Sequence, residues 1–412
     1  LYMAWNIGAN DVANSMADAV GSGALSVKYA VVAAALCEFL GAVLAGKHVT
    51  ETVRKGIVDQ SAFADQHQLL ILGMCCALLA AAIWLNAASW FGMPVSTTHS
   101  IVGAITGFGI AAFGTSVVHW GTMGKIVASW FISPVVGGVI GFCVFTMMVK
   151  LMLGQSDPAA RARKMGPVFT IFLLIIVFAS TIIKGFHFKA GKFAETLAKM
   201  PMLTKVTMVV FTIGIIVAFI VALVRMMRET RSVEGKDIRT QLGAVEKAFV
   251  PLVIISSCSV AFAHGANDVA NSIGPLAAVY NIIKEGGIPA GKIPVQGWIL
   301  ALGGVGIVIG LATFGWKVMK VVGTEITEMT PTRGVAADMA ATATVLMCTL
   351  MGLPISTTHV LVGSIIGVGM ARGIGAVDMN VTRNIFGAWL ITVPVAGVLS
   401  GILFLIGRAV LF

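Results

Sequence analysis

The chain has 412 residues, of which 58% are hydrophobic and only 11% are charged, whereas an ordinary soluble domain is about 45–50% apolar and about 25% charged. So little charge cannot cover a surface that faces water. This excludes a cytoplasmic enzyme, a disordered protein and a nucleic-acid-binding domain. The net charge of +10 lies on basic residues in short segments between long apolar runs, where it indicates membrane topology.

Apolar stretches near the length of about 20 residues that crosses a bilayer as a helix follow one another along the chain. They predict an all-α polytopic membrane protein with roughly 10–12 spans, some of them discontinuous. The clear spans are 29–46, 69–91, 126–149, 168–183, 206–224, 249–263, 298–316, 339–353 and 385–406, and two more, 100–118 and 360–370, follow a proline-containing break.

The polar segment 225–247 contains six basic and four acidic residues and divides the chain. We predict a transmembrane part at 1–224, a polar cytoplasmic connector at 225–247 and a second transmembrane part at 248–412. The basic residues place this connector on the cytoplasmic side. The segment 184–205 then falls outside, although it carries five lysines.

Two motifs occur twice. GANDVANS at 8–15 recurs letter for letter at 265–272, and GMPVSTTH at 92–99 is matched by GLPISTTH at 352–359, at offsets of 257 and 260. The chain is therefore a duplication. The second copy has an apolar run before its first motif, so we expect residue 1 to lie inside a helix whose beginning is missing here.

The first motif puts a carboxylate among amides beside an apolar span, where ionisable groups are costly and mark functional sites. On a helix, Asn10 and Asn14 lie one turn apart, as do Asp11 and Ser15. Their oxygens suit Na⁺ or protons, and their N–H and O–H groups suit an oxyanion. Packing between membrane helices is the alternative for the hydroxyl and amide residues. The second copy offers the same side chains in Asn267, Asp268, Asn271 and Ser272.

The second motif predicts a break in the membrane. Pro94 and Pro354 interrupt a helix, and the residues that follow cap a new one. A helix N-terminus is an anion site, and discontinuous helices at matching places in two halves indicate a transporter substrate site. His99 and His359 either cap or pack. The candidate anion ligands are Ser96, Thr97, Thr98, Ser356, Thr357 and Thr358.

Two further acids lie in or beside apolar spans. Glu38 is in the span 29–46, and Asp338 precedes the span that leads into the second break. Neither has an acid at the repeat-related position. They are candidates for separate cation sites or for scaffold carboxylates.

Taken together, the duplicated motifs resemble the inorganic phosphate transporter family of sodium- or proton-coupled phosphate permeases, over nearly the whole chain. The resemblance implies about 12 membrane segments arranged as two inverted repeats, secondary active uptake at the cell membrane, a homodimer and no enzymatic activity. It implies no cofactor other than the co-transported ion.

Residue by residue, the resemblance and the motif chemistry assign two ligand sets. Glu38 matches a glutamate that family members need for transport, and Asp338 stands where eukaryotic members carry the longer glutamate. The predicted phosphate-binding residues are Asp11, Ser96, Thr97, Thr98, Asp268, Ser356, Thr357 and Thr358. The predicted sodium ligands are Asn10, Asn14, Glu38, Asn267, Asn271 and Asp338.

We therefore expect a transporter that imports phosphate with Na⁺ by alternating access around a mid-membrane site between the repeats. A proton-coupled phosphate or sulfate permease would keep every motif, so it remains an alternative. A passive anion channel is the alternative from a different class.

Overall fold

The computed structural model describes residues 1–46, 57–181, 198, 202–288, 295–350 and 355–412. Within these ranges the chain is built from helices, and the only β-type pairing is an isolated bridge between Val58 and Val118. The predicted all-α membrane architecture is confirmed. Most of the predicted outer segment 184–205, and residues 352–354 of the second break, lie outside the described residues.

The α-helices have the following bounds. In chain order they are α1 (Tyr2–Asp11), α2 (Ala13–Gly21), α3 (Val27–Ala45), α4 (His67–Trp90), α5 (Thr97–Phe113), α6 (Trp120–Met148), α7 (Pro158–Ser180), α8 (Met202–Arg231), α9 (Ile238–Glu285), α10 (Gly297–Thr313), α11 (Trp316–Lys320), α12 (Pro331–Leu350), α13 (Thr357–Met370) and α14 (Met379–Leu411). The predicted connector 225–247 thus contains the end of α8, a short turn and the start of α9.

Among the described residues, seven helices are long and apolar enough to cross a membrane, namely α3, α4, α6, α7, α8, α9 and α14. The segments Gly297–Thr313 and Trp316–Glu325 together form an eighth candidate, bent by 61°. The two helices that follow the proline breaks, α5 and α13, are shorter. The exact number of crossings stays a prediction.

The outer surface of the helix bundle is apolar. In the apolar windows of α8 and α14 only 22% of the residues are buried inside the protein, and large side chains such as Ile213, Val217 and Ile220 are exposed. Exposed apolar surface on this scale is stable only against lipid. These faces of α8 and α14 therefore contact the lipid bilayer.

The two copies interlock by exchanging partners. The repeat-related helices α5 and α13 pack against α14 and α6 respectively, so each lies on a helix of the other copy. Likewise α1 packs on α10, and its repeat-related segment of α9 packs on α3. This exchange is what a two-fold relation between the copies requires. The inversion of one copy in the membrane stays a prediction.

Glycines set the close approach of these exchanged helices. A Cβ at Gly107 of α5 would lie 1.9 Å from the carbonyl oxygen of Gly397, and a Cβ at Gly367 of α13 would lie 1.9 Å from that of Gly138. Small residues at helix contacts are the usual means of packing backbones tightly in lipid. The repeat-related glycines thus hold both halves at the same short separation.

This packing predicts that larger side chains at the contact glycines destabilise the protein. Gly367→Val places a Cβ against a backbone oxygen that cannot rotate away, so we expect a marked fall in the thermal unfolding temperature of the detergent-purified protein, from an overpacking cost of about 1–3 kcal/mol or more. The matched control is Gly387→Val in α14, because a Cβ there meets no other packed segment within 4 Å in the described part of the chain. Equal unfolding temperatures for both variants would contradict the packing.

Candidate functional site

The starts of α5 and α13 face each other at the centre of the protein. The Ser96 side chain accepts a hydrogen bond from the His99 N–H at 3.2 Å, and the Ser356 side chain accepts one from the His359 N–H at 3.3 Å. Both predicted N-caps are therefore present. The first N–H groups of each helix have no acceptor within the helix, and the two histidine rings lie 4.8 Å apart between centroids. Two positive helix ends thus converge.

Both histidines pack against aromatic rings. His99 lies 4.9 Å from the repeat-related Trp130, and His359 stacks on Trp389 at 3.7 Å. The Trp389 indole also donates a hydrogen bond to the Pro94 carbonyl at 2.8 Å. These contacts hold the two breaks together. Of the two roles considered for these histidines, capping and packing, the ring contacts show packing.

The first motif of each copy reaches into the second motif of the other copy. The Asn14 amide donates to the Thr358 hydroxyl at 2.8 Å, and the Asn271 amide donates to the Thr98 hydroxyl at 3.1 Å. The four residues are related pairwise by the duplication. Each half therefore completes the site of the other, and neither copy contains a whole site.

The aspartate of the first copy lies between both breaks. Asp11 is buried, and its Oδ2 accepts a hydrogen bond from the Thr97 hydroxyl at 2.7 Å, while the Thr358 hydroxyl lies 3.5 Å from its Oδ1. The Asp268 carboxylate accepts a hydrogen bond from Asn271 at 3.3 Å. The predicted anion and cation ligands of both motifs thus meet in one cluster.

A histidine that the sequence analysis did not select joins three acids. His264 Nε2 lies 2.9 Å from Asp268 and 3.5 Å from Asp11, and its Nδ1 lies 3.4 Å from Glu38. Ser15 donates to the same Glu38 oxygen at 3.3 Å. Glu38 is thus joined to the first motif through Ser15 and to the second copy through this imidazole, which directly precedes Gly265.

The pair of Glu38 and His264 has an apolar counterpart in the other copy. A Cβ at Gly265 would meet the Glu38 backbone oxygen at 2.1 Å, and a Cβ at the repeat-related Gly8 would meet the Ile307 backbone oxygen at 1.9 Å. The residue before Gly8 is Ile7, and both isoleucines are fully buried. The two helix contacts are therefore symmetric in backbone packing, but only the contact of Gly265 with α3 carries an acid and a histidine.

The remaining predicted ligands lie at the edge of this cluster or away from it. The Asn10 amide donates to Ser89 and to the Met93 carbonyl and accepts from the Val95 N–H, so it holds the break between α4 and α5. Asn267 donates back to Ala263 of its own helix. Asp338 is not part of the cluster and instead contacts serines of α9.

A small cavity opens beside the cluster. Asn14, His264 and Thr357 form its inner wall, and polar residues of α7 and α12, including Ser180 and Thr342, form the rest with apolar neighbours. The polar atoms allow it to hold water or a small ion. Helix α7, which contains neither of the duplicated motifs, thus also borders the site.

The cluster contains more acidic than basic groups. Asp11, Glu38 and Asp268 bring three carboxylates, and one imidazole carries at most one positive charge. Ligand atoms of Asp11, His264 and Asp268 lie within 4.8 Å of one another, a spacing that suits an ion. Buried charge on this scale is stable only when it is paired.

The chain matches the model of the phosphate transporter family over residues 7–400. The chain belongs to this family. Among relatives, it is 45% identical to a protein of Pyrococcus abyssi named as a putative phosphate permease, over 98% of this chain and 95% of that one. It is 40% identical to the chloroplastic inorganic phosphate transporter 2-1 of Arabidopsis thaliana, over 97% of this chain and 69% of that one.

A solved structure is also similar. It is described as the sodium-dependent phosphate transporter, and it matches with a TM-score of 0.82 and 39% identity, over 100% of this chain and 97% of that chain. The resemblance drawn from the duplicated motifs is thereby confirmed. This phosphate transporter family member is a multi-pass protein of the cell membrane.

The exchanged contacts predict energetic coupling between the copies. In this member of the phosphate transporter family, Asn14→Ala and Thr358→Val both remove the buried hydrogen bond between Asn14 and Thr358, and Thr358→Val also removes the 3.5 Å contact with Asp11. We expect phosphate uptake in proteoliposomes to fall about five- to tenfold for Asn14→Ala, from a loss of about 1–1.5 kcal/mol, and at least as far for Thr358→Val. The double variant should be little worse than Thr358→Val alone. Thr170→Val is the control, because among the described residues that hydroxyl donates only to the Gly166 carbonyl of its own helix. Multiplicative losses would contradict direct coupling.

Proposed function

We propose that this protein imports inorganic phosphate together with sodium ions through the site between the two copies. The observation that carries the proposal is the meeting of two helix N-termini, which attract an anion, with three carboxylates that need cations. Phosphate and Na⁺ together satisfy both demands. The sodium-dependent transporter with the similar structure supports the choice of cation.

The phosphate would lie against the starts of α5 and α13. Hydroxyl and N–H groups of Thr97, Thr98 and Thr358 are donors for its oxygens, and Thr357 faces the neighbouring cavity. Ser96 and Ser356 shape these helix ends by capping them. Asp11 and Asp268 repel a bare dianion, so each either accepts a hydrogen bond from a protonated phosphate or contacts it through a sodium ion.

The sodium ions would lie between the carboxylates and the anion. Glu38 Oε2 and Asn14 Oδ1 are buried oxygens with no hydrogen-bond partner in the described part of the chain, and such oxygens are ligands for a hard cation. Asp268 and Asn271 add further oxygens. Asn10 and Asn267, whose amides bind neighbouring backbone groups, would act on these ligands indirectly.

The coupling follows from electrostatics. Burying a doubly charged anion beside three acids is prohibitive, so the phosphate binds only when cations have bound. With three Na⁺ per phosphate dianion, or two per monoanion, one net positive charge enters, and the membrane potential adds about 2.3 kcal/mol per 100 mV. Rocking of one set of helices against the other would alternate access to the site, and a homodimer would carry two such sites.

The test is uptake of radiolabelled phosphate by proteoliposomes under separate Na⁺ and H⁺ gradients. We expect an inward Na⁺ gradient to drive phosphate above its equilibrium level and excess sulfate to compete weakly. Accumulation driven by H⁺ alone would favour a proton-coupled permease. Strong sulfate competition would favour a sulfate permease, and flux without accumulation would favour a channel.

The two aspartates should be indispensable. Asp11→Asn and Asp268→Asn keep side-chain size but remove a charge from the cation-binding cluster, so we expect more than about tenfold slower Na⁺-driven uptake, from a loss of at least about 1.4 kcal/mol. Asp59→Asn is the control, since that residue caps the short helical turn Gln60–Gln66. Near-normal uptake by both site variants would contradict the assignment.

A further inference from the structure

An open polar cleft lies outside the central cluster. It has a volume of about 620 Å³ and is lined by Gly21 and by the segments 324–329 and 375–378. Gly21 follows Asp11 by ten residues, which is about 15 Å along a helix axis. A small ion that leaves the central cluster along the first motif helices therefore reaches this cleft.

The cleft opens on the side of the polar connector. The segment 324–329 leads into α12, and Thr332 in the first turn of α12 donates hydrogen bonds to the Glu246 carboxylate from its N–H at 2.9 Å and from its hydroxyl at 2.8 Å. Glu246 belongs to the connector 225–247, which the basic residues predict to be cytoplasmic. The cleft is thus the predicted cytoplasmic mouth.

Two arginines converge on one acid in the wall of this cleft. Arg372 donates to the Glu328 carboxylate at 3.0 Å, and the Arg333 guanidinium lies 3.4 Å from the same oxygen. Arg333 also donates to the Glu328 carbonyl at 2.8 Å. The arginine side chains are 16% and 28% exposed, whereas that of Glu328 is 73% exposed. The cations are held by the protein, and the acid is free to leave.

Hydrogen bonds between the two segments of the cleft fix the positions of the arginines. The Asp378 N–H donates to the Ile326 carbonyl at 2.9 Å, and the Thr327 hydroxyl donates to the Ala376 carbonyl at 2.7 Å. Arg333 and Arg372 extend from the chain on either side of these bonds. The two guanidinium groups are therefore preorganised, which lowers the ordering cost of binding an anion between them.

The chemistry of the pair suits phosphate. Guanidinium groups bind phosphate oxygens with two parallel hydrogen bonds. The Arg333 Nε–H is buried and has no acceptor in the described part of the chain. The charge of Arg333, with the hydrogen bond from Arg372, lowers the pKa of the Glu328 carboxyl, so this acid acts as an internal anion. An exposed ion pair contributes little stability, and a phosphate dianion can replace it.

The arginine pair occurs once in the duplicated chain. The offset of 260 places Gly73 opposite Arg333 and Ala112 opposite Arg372. A Cβ at Gly73 would lie 2.3 Å from the ring of Phe108. The first copy thus has apolar packing where the second copy has charge, so the arginines are not a by-product of the duplication.

We propose that Arg333 and Arg372 form a second phosphate site at the cytoplasmic mouth, which receives inorganic phosphate released from the central site and is occupied by Glu328 between transport cycles. The proposal rests on the phosphate import proposed above. Because this site is positively charged, it binds phosphate without sodium, unlike the central cluster. The return of Glu328 to the arginines then displaces the phosphate into the cytoplasm.

The experiment measures equilibrium binding of radiolabelled inorganic phosphate to protein in phosphatidylcholine nanodiscs, in sodium-free buffer that leaves the central site empty. Glu328→Gln removes the competing anion, so we expect it to bind one phosphate per chain about five- to tenfold more tightly than the wild type. This binding should weaken as ionic strength rises. The matched control is Glu234→Gln, which removes an acid that pairs with a single arginine, Arg163 at 3.1 Å, and should bind as the wild type does.

Arginine variants show whether the bound phosphate lies at the proposed place. In the Glu328→Gln background, Arg333→Gln or Arg372→Gln should abolish the sodium-independent binding. Arg372→Lys keeps the charge but loses the planar fork, so it should bind several-fold more weakly. Arg383→Gln, at an exposed arginine in the first turn of α14, is the control and should change nothing.

Transport provides a second readout. In proteoliposomes Glu328→Gln should lower the maximal uptake rate several-fold and leave the KM for external phosphate nearly unchanged, because only release becomes slower. An unchanged maximal rate would show that phosphate does not pass the arginines on release, and would overturn this role.

A lipid headgroup carries the same phosphate chemistry. Nanodiscs that contain phosphatidylglycerol distinguish the two sources, and free phosphate should bind equally well in them. Loss of phosphate binding there would assign the arginines to lipid and overturn the proposal. Sodium-free binding that is the same in the wild type, Glu328→Gln and both arginine variants would overturn it as well. If the wild type still accumulates phosphate in proteoliposomes, only the second site is wrong; if it takes up none, the proposed function itself is wrong.

Discussion

Uncompensated negative charge in an apolar medium is the constraint from which the rest of this structure follows. Asp11, Glu38 and Asp268 share one imidazole, that of His264. The two helix ends beside them add positive potential but no whole charge. In the proposed mechanism cations complete the balance and an anion binds only once they are present, so selectivity for the combination of ions arises from electroneutrality before any detailed fit of ligand to pocket.

The fold serves this constraint by placing the acids where lipid cannot reach them. Close packing at Gly8 and Gly265 brings α10 and α3 against the motif helices, and the hydroxyls of each break are fixed by an amide from the other copy. A charged cluster in a loosely packed bundle would draw in water, which would screen its charges. The small residues at the helix contacts and the acids at the centre are thus two parts of one arrangement.

The sequence predicted the membrane architecture and the central residues of the site because both motifs occur twice, and the repetition distinguishes them from chance patterns. Two copies of each motif revealed the breaks at Ser96 and Ser356 and the central aspartates. The sequence analysis missed His264, whose counterpart Ile7 carries no charge, so comparing the copies gave no support for it. It named Asp338 as a sodium ligand without a contact partner, because linear order does not show that the start of α12 packs against serines of α9. Pairings that depend on packing between distant helices are set by tertiary structure alone.

The exchange of partners between the copies also bears on how the chain matures. Helix α5, near the beginning, packs on α14, the last helix, and α6 packs on α13. During synthesis the glycine-lined faces of the amino-terminal helices therefore lack their final partners. They are covered only after the last spans have left the ribosome. Assembly is consequently a late, whole-chain event. A destabilising substitution near the carboxyl terminus is therefore expected to disturb the packing of the early helices as much as a substitution within those helices.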